Sequence, residues 1–138
     1  MEEVVHAVGH EHVSAEHEST FELTSDDWLT PAGDCIVGIE ADRTPSSFDP
    51  AFVEACRDEH ATITATLRTD DHETLVTGHG HPDLTFESDR SLVGRTSEYV
   101  DDRTVMVDAD AAAIDLDREL VAAIAGGAHL ECVLEVDP

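Results

Sequence analysis

The segment DCIVGIEAD at residues 34–42 returns as DRTVMVDAD at residues 102–110, keeping the leading Asp, a central Val and the closing Ala-Asp. A strand-like stretch written twice in one chain is the signature of an internal repeat. Downstream, FDPAFVEAC (48–56) matches LDRELVAAI (116–124), and ATITATL (61–67) matches AHLECVL (128–134). Upstream, GHEH (9–12) matches GHGH (78–81), which pairs Gly9, His10 and His12 with Gly78, His79 and His81. The same alignment sets Glu18-Ser19 against Glu87-Ser88, and Leu23 against Leu92. The 138 residues therefore read as one compact domain, 1–138, made of two repeats at about 4–68 and 73–136. Each half is near the lower size limit for independent folding, so the two are expected to share one core.

Periodicity supplies the element order. In EVVHAVGHEH (3–12) the even positions Val4, His6, Val8, His10 and His12 fall on one strand face. TFELT (20–24) and CIVGIEA (35–41) read as further strands, the second apolar enough to be buried on both sides. Asp49 is a natural N-cap, with Pro50 at the first helical position. Phe48, Phe52, Val53 and Cys56 then share a helical face, as Leu116, Leu120, Val121 and Ile124 do in the second copy. Gly126-Gly127 ends the second helix. Ile63, Ala65 and Leu67 alternate with threonines as a half-buried strand, and RTDDHE (68–73) is a turn too short to separate domains. Each half reads β-β-β-α-β. The expected fold is α+β: internally duplicated units forming a mostly antiparallel sheet with two helices and a pseudo-twofold, with closure into a barrel left open.

Composition bounds the setting. The chain carries 32 Asp plus Glu against seven Lys plus Arg, a formal charge of −25, and every one of the seven cations is Arg. Self-repulsion of that size is relieved by screening, so the acidity fits a halophilic, haloarchaeal cytoplasm and says nothing about a basic partner. Three cysteines, Cys35, Cys56 and Cys132, are too few and too irregular for a disulfide framework. No leader and no apolar run of membrane-spanning length is readable, so a cytoplasmic location without membrane association is expected. One Trp, one Tyr and four Phe give no stacking platform, and no basic stripe signals nucleic acid.

These segments resemble an archaeal family catalogued as domain of unknown function 371. The likeness runs over nearly the whole chain: Gly9-His10, AEHESTFELT (15–24), LTPAGDCIVGIEAD (29–42), GHGHPDLTF (78–86), SEYVDDRTVMVDADAAA (97–113) and DLDREL (115–120). The resemblance implies kinship without naming a reaction. The family tends to place Pro after each Gly-His, where this chain has Glu11 and Gly80, and to favour Lys where Ala111 stands.

Three constellations can carry chemistry. His10 and His12 on one strand face, repeated as His79 and His81, with His17 and Glu22 on the adjoining segment, have the donor types of a divalent metal site. The bland alternative is a set of surface or core-edge histidines. Arg90, Arg95 and Arg103 lie among Thr96, Ser97 and Thr104, a donor set for phosphate or carboxylate, unless each Arg simply pairs with an internal acid. Cys35 opens the first repeated strand and becomes a nucleophile only beside a base or cation such as His10 or Arg103; otherwise it is a small core residue. Two classes of function follow. One is a domain binding a small anionic ligand or metal near the pseudo-twofold, built from His10 and His79 with Asp34, Arg95 and Arg103 nearby. The other is a structural or adaptor protein binding other chains.

Overall fold

The computed structural model describes residues 1–138. The chain runs β1 (Glu2–Val8), β2 (Thr20–Thr24), β3 (Ile36–Gly38), α1 (Pro50–Cys56), β4 (Thr62–Arg68), β5 (Glu73–His79), β6 (Ser91–Arg95), β7 (Thr104–Met106), α2 (Arg118–Ala125) and β8 (His129–Asp137). Short 3-10 turns, Pro45–Ser47 and Ala113–Asp115, precede the two helices. The order β-β-β-α-β thus occurs twice, and the fold is α+β as expected.

The strands form two four-stranded sheets, ordered β1-β8-β4-β5 and β3-β2-β6-β7. Exchanging each strand for its counterpart in the other half reverses both orders onto themselves, so a pseudo-twofold passes between β8 and β4 and between β2 and β6. The first sheet is antiparallel throughout. The second is antiparallel only at its β2–β6 centre, because β3 and β7 join it in parallel. Single bridges, Val8 to Ile39 and His79 to Val107, tie the sheets at their edges without closing a barrel. The halves interdigitate: β8 of the second half sits between β1 and β4 of the first. One hydrophobic cluster of 33 buried residues draws on both halves and both helices.

Local chemistry explains the elements. Asp49 and Asp117 cap the helices by accepting from the Ala51 and Glu119 N–H groups. Alternation on β4 and β8 puts Ile63, Ala65, Leu67, Leu130, Cys132 and Leu134 in the core. The repeated Ala-Asp also has a physical reason. Asp42 and Asp110 each accept an outward-facing N–H of an edge strand, His6 at 2.8 Å and Thr77 at 2.9 Å, and return a backbone N–H to the same residue. Each carboxylate thus blunts a sheet edge that would otherwise template pairing with another chain. Two sequence expectations change. The strand expected across 35–41 shortens to Ile36–Gly38, since β3 has a single ladder partner. The first strand stops at Val8, so His10 and His12 lie in a turn and not on a strand face.

Candidate functional site

Hydrogen bonding revises how the Gly-His motifs correspond. Val8 exchanges backbone bonds with Ile39 at 2.9 Å each way, and His79 does the same with Val107 at 2.8 and 3.0 Å. The next residues continue the match: Gly9 N–H donates to Ala128 at 2.9 Å, and Gly80 N–H donates to Ala61 at 3.0 Å. The structural partner of Gly9-His10 is therefore Gly80-His81, not Gly78-His79, and His79 stands where the first half has Val8. A Cβ on Gly9 would strike the Ile124 carbonyl oxygen, and one on Gly80 would strike those of Cys56 and Asp58. Both glycines exist so that the chain can pass against the C-terminal end of a helix. Gly78 has another task, leaving room for the Val107 carbonyl oxygen and the Met106 sulfur, while its counterpart Ala7 faces Gly38. In this register Pro82 directly follows the second Gly-His, so the departure expected at Gly80 disappears. Ala111 corresponds to Arg43, which binds the buried Glu3 at 2.7 Å. The second half has Thr74 in the place of that Glu, so both members of the pair are replaced there.

The histidines do not converge. β1 and β5 are the outer strands of one sheet and run in opposite directions, so His10 and His79 lie off opposite edges and opposite ends. Three strand spacings alone separate them by about 14 Å, far beyond one metal with bonds near ~2 Å. The structure therefore does not bring His10 and His79 together. No group of three His, Cys, Asp or Glu side chains is arranged to hold a metal ion. Local bonding gives the reason for three of the five histidines. His10 Nδ1 accepts the His12 N–H at 3.0 Å, and His81 Nδ1 accepts the Asp83 N–H at 3.0 Å. His17 Nδ1 accepts the Ser19 and Thr20 N–H groups at 3.2 and 3.1 Å. In each case the Nδ1 lone pair is engaged by a backbone donor and is not free for coordination. His17 has a telling counterpart in Ser88, whose Oγ accepts from the Arg90 and Ser91 N–H groups at 3.1 and 3.2 Å. His12 is exposed and its ring lies tilted against that of His10, centroids 5.0 Å apart. His79 is exposed in an open groove with His60, His81, Glu98 and Asp108.

Two of the three arginines meet, Arg95 and Arg103, on the outer side of the sheet β3-β2-β6-β7, whereas Arg90 pairs with Asp26 at 2.8 Å. Arg95, on β6, bonds Thr104 Oγ1 at 3.0 Å and Asp101 at 2.9 Å, and its guanidinium lies 4.8 Å from the Tyr99 ring centroid. Arg103 binds the same Asp101 oxygen at 2.9 Å and comes within 4.0 Å of Glu22. Glu22 in turn accepts the Cys35 thiol at 3.4 Å. Burial raises the Asp101 carboxyl, but hydrogen bonds from the Arg103 side chain and backbone, with the charges of Arg95 and Arg103, outweigh it and bring the pKa to about 2. Burial, aided by the Glu22 charge, pushes the Cys35 thiol up to about 11. Cys35 is thus a half-buried donor, neither an activated nucleophile nor a core residue, whereas Cys56 and Cys132 are in the core. Asp34 lies apart from the arginine cluster, in a shallow hollow beside Glu16, His17 and Ser19, with its carbonyl accepting the Glu16 and His17 N–H groups. Six of the seven arginines pair with internal acids. The seventh, Arg118, donates to the carbonyls of Ala15, Ala113 and Leu116.

Sequence reasoning missed one pair of residues. The turn after β2 and the turn after β6 are equivalent: Glu40 N–H reaches the Asp26 carbonyl at 2.8 Å, and Asp108 N–H reaches that of Ser97 at 3.0 Å. In this register the lone Trp28 matches the lone Tyr99, and they are 55% and 61% exposed. All four phenylalanines are buried. The signal was present as S-D-D-W-L (25–29) against T-S-E-Y-V (96–100), a polar pair, an acid, an aromatic and an aliphatic residue.

A symmetric α+β domain with internally paired arginines and two exposed aromatic turns is the class that fold and site define. The family described as Domain of unknown function (DUF371) matches residues 5–137. The chain is also similar to Uncharacterized protein MJ0206 of Methanocaldococcus jannaschii, 37% identical over 130 residues, which cover 94% of this chain and 96% of that protein. The chain belongs to this family of unknown function, and the relative it resembles is an archaeal protein.

Proposed function

We propose that this chain is a non-enzymatic adaptor that binds another protein through the Trp28 and Tyr99 turns, in a salt-rich cytoplasm, and that its two halves arose by duplication. The observation that carries the reading is the placement of the only Trp and only Tyr at equivalent, exposed positions while every Phe is buried. On a surface otherwise dominated by acids, leaving half an aromatic ring in water forgoes on the order of 2 kcal/mol that a covering partner would recover. Trp, Tyr and Arg are also the residues that dominate binding energy at protein interfaces. Arg90 and Arg95 stand at the bases of these two turns, held by Asp26 and Asp101. The test compares the wild-type chain and a Trp28→Ala/Tyr99→Ala variant as immobilised baits in cell extract at molar KCl, with quantitative mass spectrometry. A protein retained by wild type and depleted about tenfold on the variant supports the reading; equal retention on both baits overturns it.

A second reading, a small anion on the outer sheet face beside the pseudo-twofold, is favoured by Arg103. Its side chain is 40% exposed and one nitrogen has only the 4.0 Å contact with Glu22. Calorimetric titration with inorganic phosphate against an Arg103→Gln variant tests it, and absence of heat from wild type removes it.

A further inference from the structure

Tyr99 already shows what its turn can hold. The Arg95 guanidinium lies over the ring and is anchored by Asp101 at 2.9 Å, so a cation is held between an aromatic face and a carboxylate. The equivalent turn keeps the aromatic but has no cation over it. The counterpart of Arg95 is Thr24, a buried hydroxyl that accepts the Asp26 N–H at 3.2 Å. The chain's cation–aromatic contacts are Arg43 with Phe48 and Arg95 with Tyr99, and neither involves Trp28. The Trp28 turn has Gly33 in the place of Asp101, but it carries acids of its own, Asp27 and Glu40, at the positions of Glu98 and Asp108. Asp27 directly precedes the ring, and Glu40, held in a left-handed backbone (φ 54°), is bonded to the same turn through Asp26. Both side chains are exposed, and the ion pairs of the chain use other acids. Asp26 is occupied by Arg90, at 2.8 Å.

We propose that the Trp28 turn receives an arginine side chain from the partner protein, held over the indole and between the Asp27 and Glu40 carboxylates. This rests on the reading of the turn as a docking point and supplies its chemistry. The contact would provide in trans what Arg95 provides within the chain for Tyr99. A guanidinium fits because it is planar, stacks on an indole and stays weakly hydrated where salt screens simple charge attraction. Two different turns related by the pseudo-twofold would then bind unlike features, which fixes the orientation of a single partner.

Trp28 is the sole tryptophan, so its fluorescence reports on this turn alone. The full chain in molar KCl is titrated with a blocked Gly-Arg-Gly-Arg-Gly peptide and with the same peptide carrying citrulline, which has the same shape without charge. The expected result is a saturable change with the arginine peptide, none with the citrulline peptide, and binding weakened about fivefold or more in Asp27→Asn/Glu40→Gln. That variant retains the tryptophan, and an unchanged circular dichroism melt shows that it retains the fold. A linear response alike for both peptides, or equal affinity in the variant, overturns the proposal. If the aromatic variant still loses its protein partner in the bait experiment, only the arginine chemistry has failed. If neither experiment gives a signal, the docking reading has failed with it.

Discussion

Replacing Asp101 with Asn should destabilise the protein at neutral pH and do so somewhat less in acid. The carboxylate accepts from Arg95 Nη2 and Arg103 Nη2 at 2.9 Å, from the Arg103 backbone at 3.0 Å and from Thr104 Oγ1 at 3.1 Å. Arg95 is only 9% exposed, so losing its counter-charge leaves a buried cation poorly paired. A loss of about 2–4 kcal/mol at pH 7 is expected for a charged acceptor with several donors. The pH-dependent part comes from the fall of the pKa from 3.8 to about 2, worth about 2 kcal/mol and nearer 1–2 after screening of a side chain that is partly open to water. Because the folded value is depressed, this stabilisation is complete above the unfolded pKa and disappears as pH falls through the folded one. Roughly half of it should be gone near pH ~3. Urea melts of wild type and Asp101→Asn, both in molar KCl, read the difference directly, since the other carboxylates titrate alike in both. A free-energy gap that is the same at pH ~6 and pH ~3 would refute the reasoning.

The remaining expectations concern the motifs. Gly9→Ala and Gly80→Ala should each cost about 2–4 kcal/mol, because the added methyl meets helix-end backbone that cannot rotate away. Gly126→Ala, where the new Cβ meets nothing nearer than 3.3 Å at a φ of −80°, should cost under about 1; equal melting shifts for all three would contradict the register assigned here. His17→Ser should be nearly neutral, within about 1 kcal/mol, since Ser88 performs the same N–H capture in the other half, whereas His17→Ala should lose about 1–2. A serine variant melting no better than the alanine one would deny that role. Thirty-two acids against seven arginines should make folding depend on salt, so a circular dichroism melt with the same midpoint in dilute buffer and in about 2 M KCl would count against the screening argument.

Local chemistry was legible in the order of residues. The helix at Pro50–Cys56 follows from Asp49, Pro50 and the spacing of Phe52 and Cys56, all of which act between neighbours a turn apart. Alternation in 61–67 and 128–134 likewise named the core side of β4 and β8, because a strand's two faces are set by its own period. The repeat order β-β-β-α-β was readable for the same reason. What sequence could not decide was anything that depends on which segments meet. The likeness of GHEH to GHGH drew His10 toward His79, but the pairing of Val8 with Ile39 and of His79 with Val107 sets a register two residues away, matching Gly9 to Gly80. The Asp42 and Asp110 caps, the shared hold of Arg95 and Arg103 on Asp101, and the equivalence of Trp28 with Tyr99 all join residues distant in sequence or related only by the pseudo-twofold. Hydrogen-bond geometry across strands and the close approach of glycine to a helix end decide such pairings, and both are properties of the packed chain.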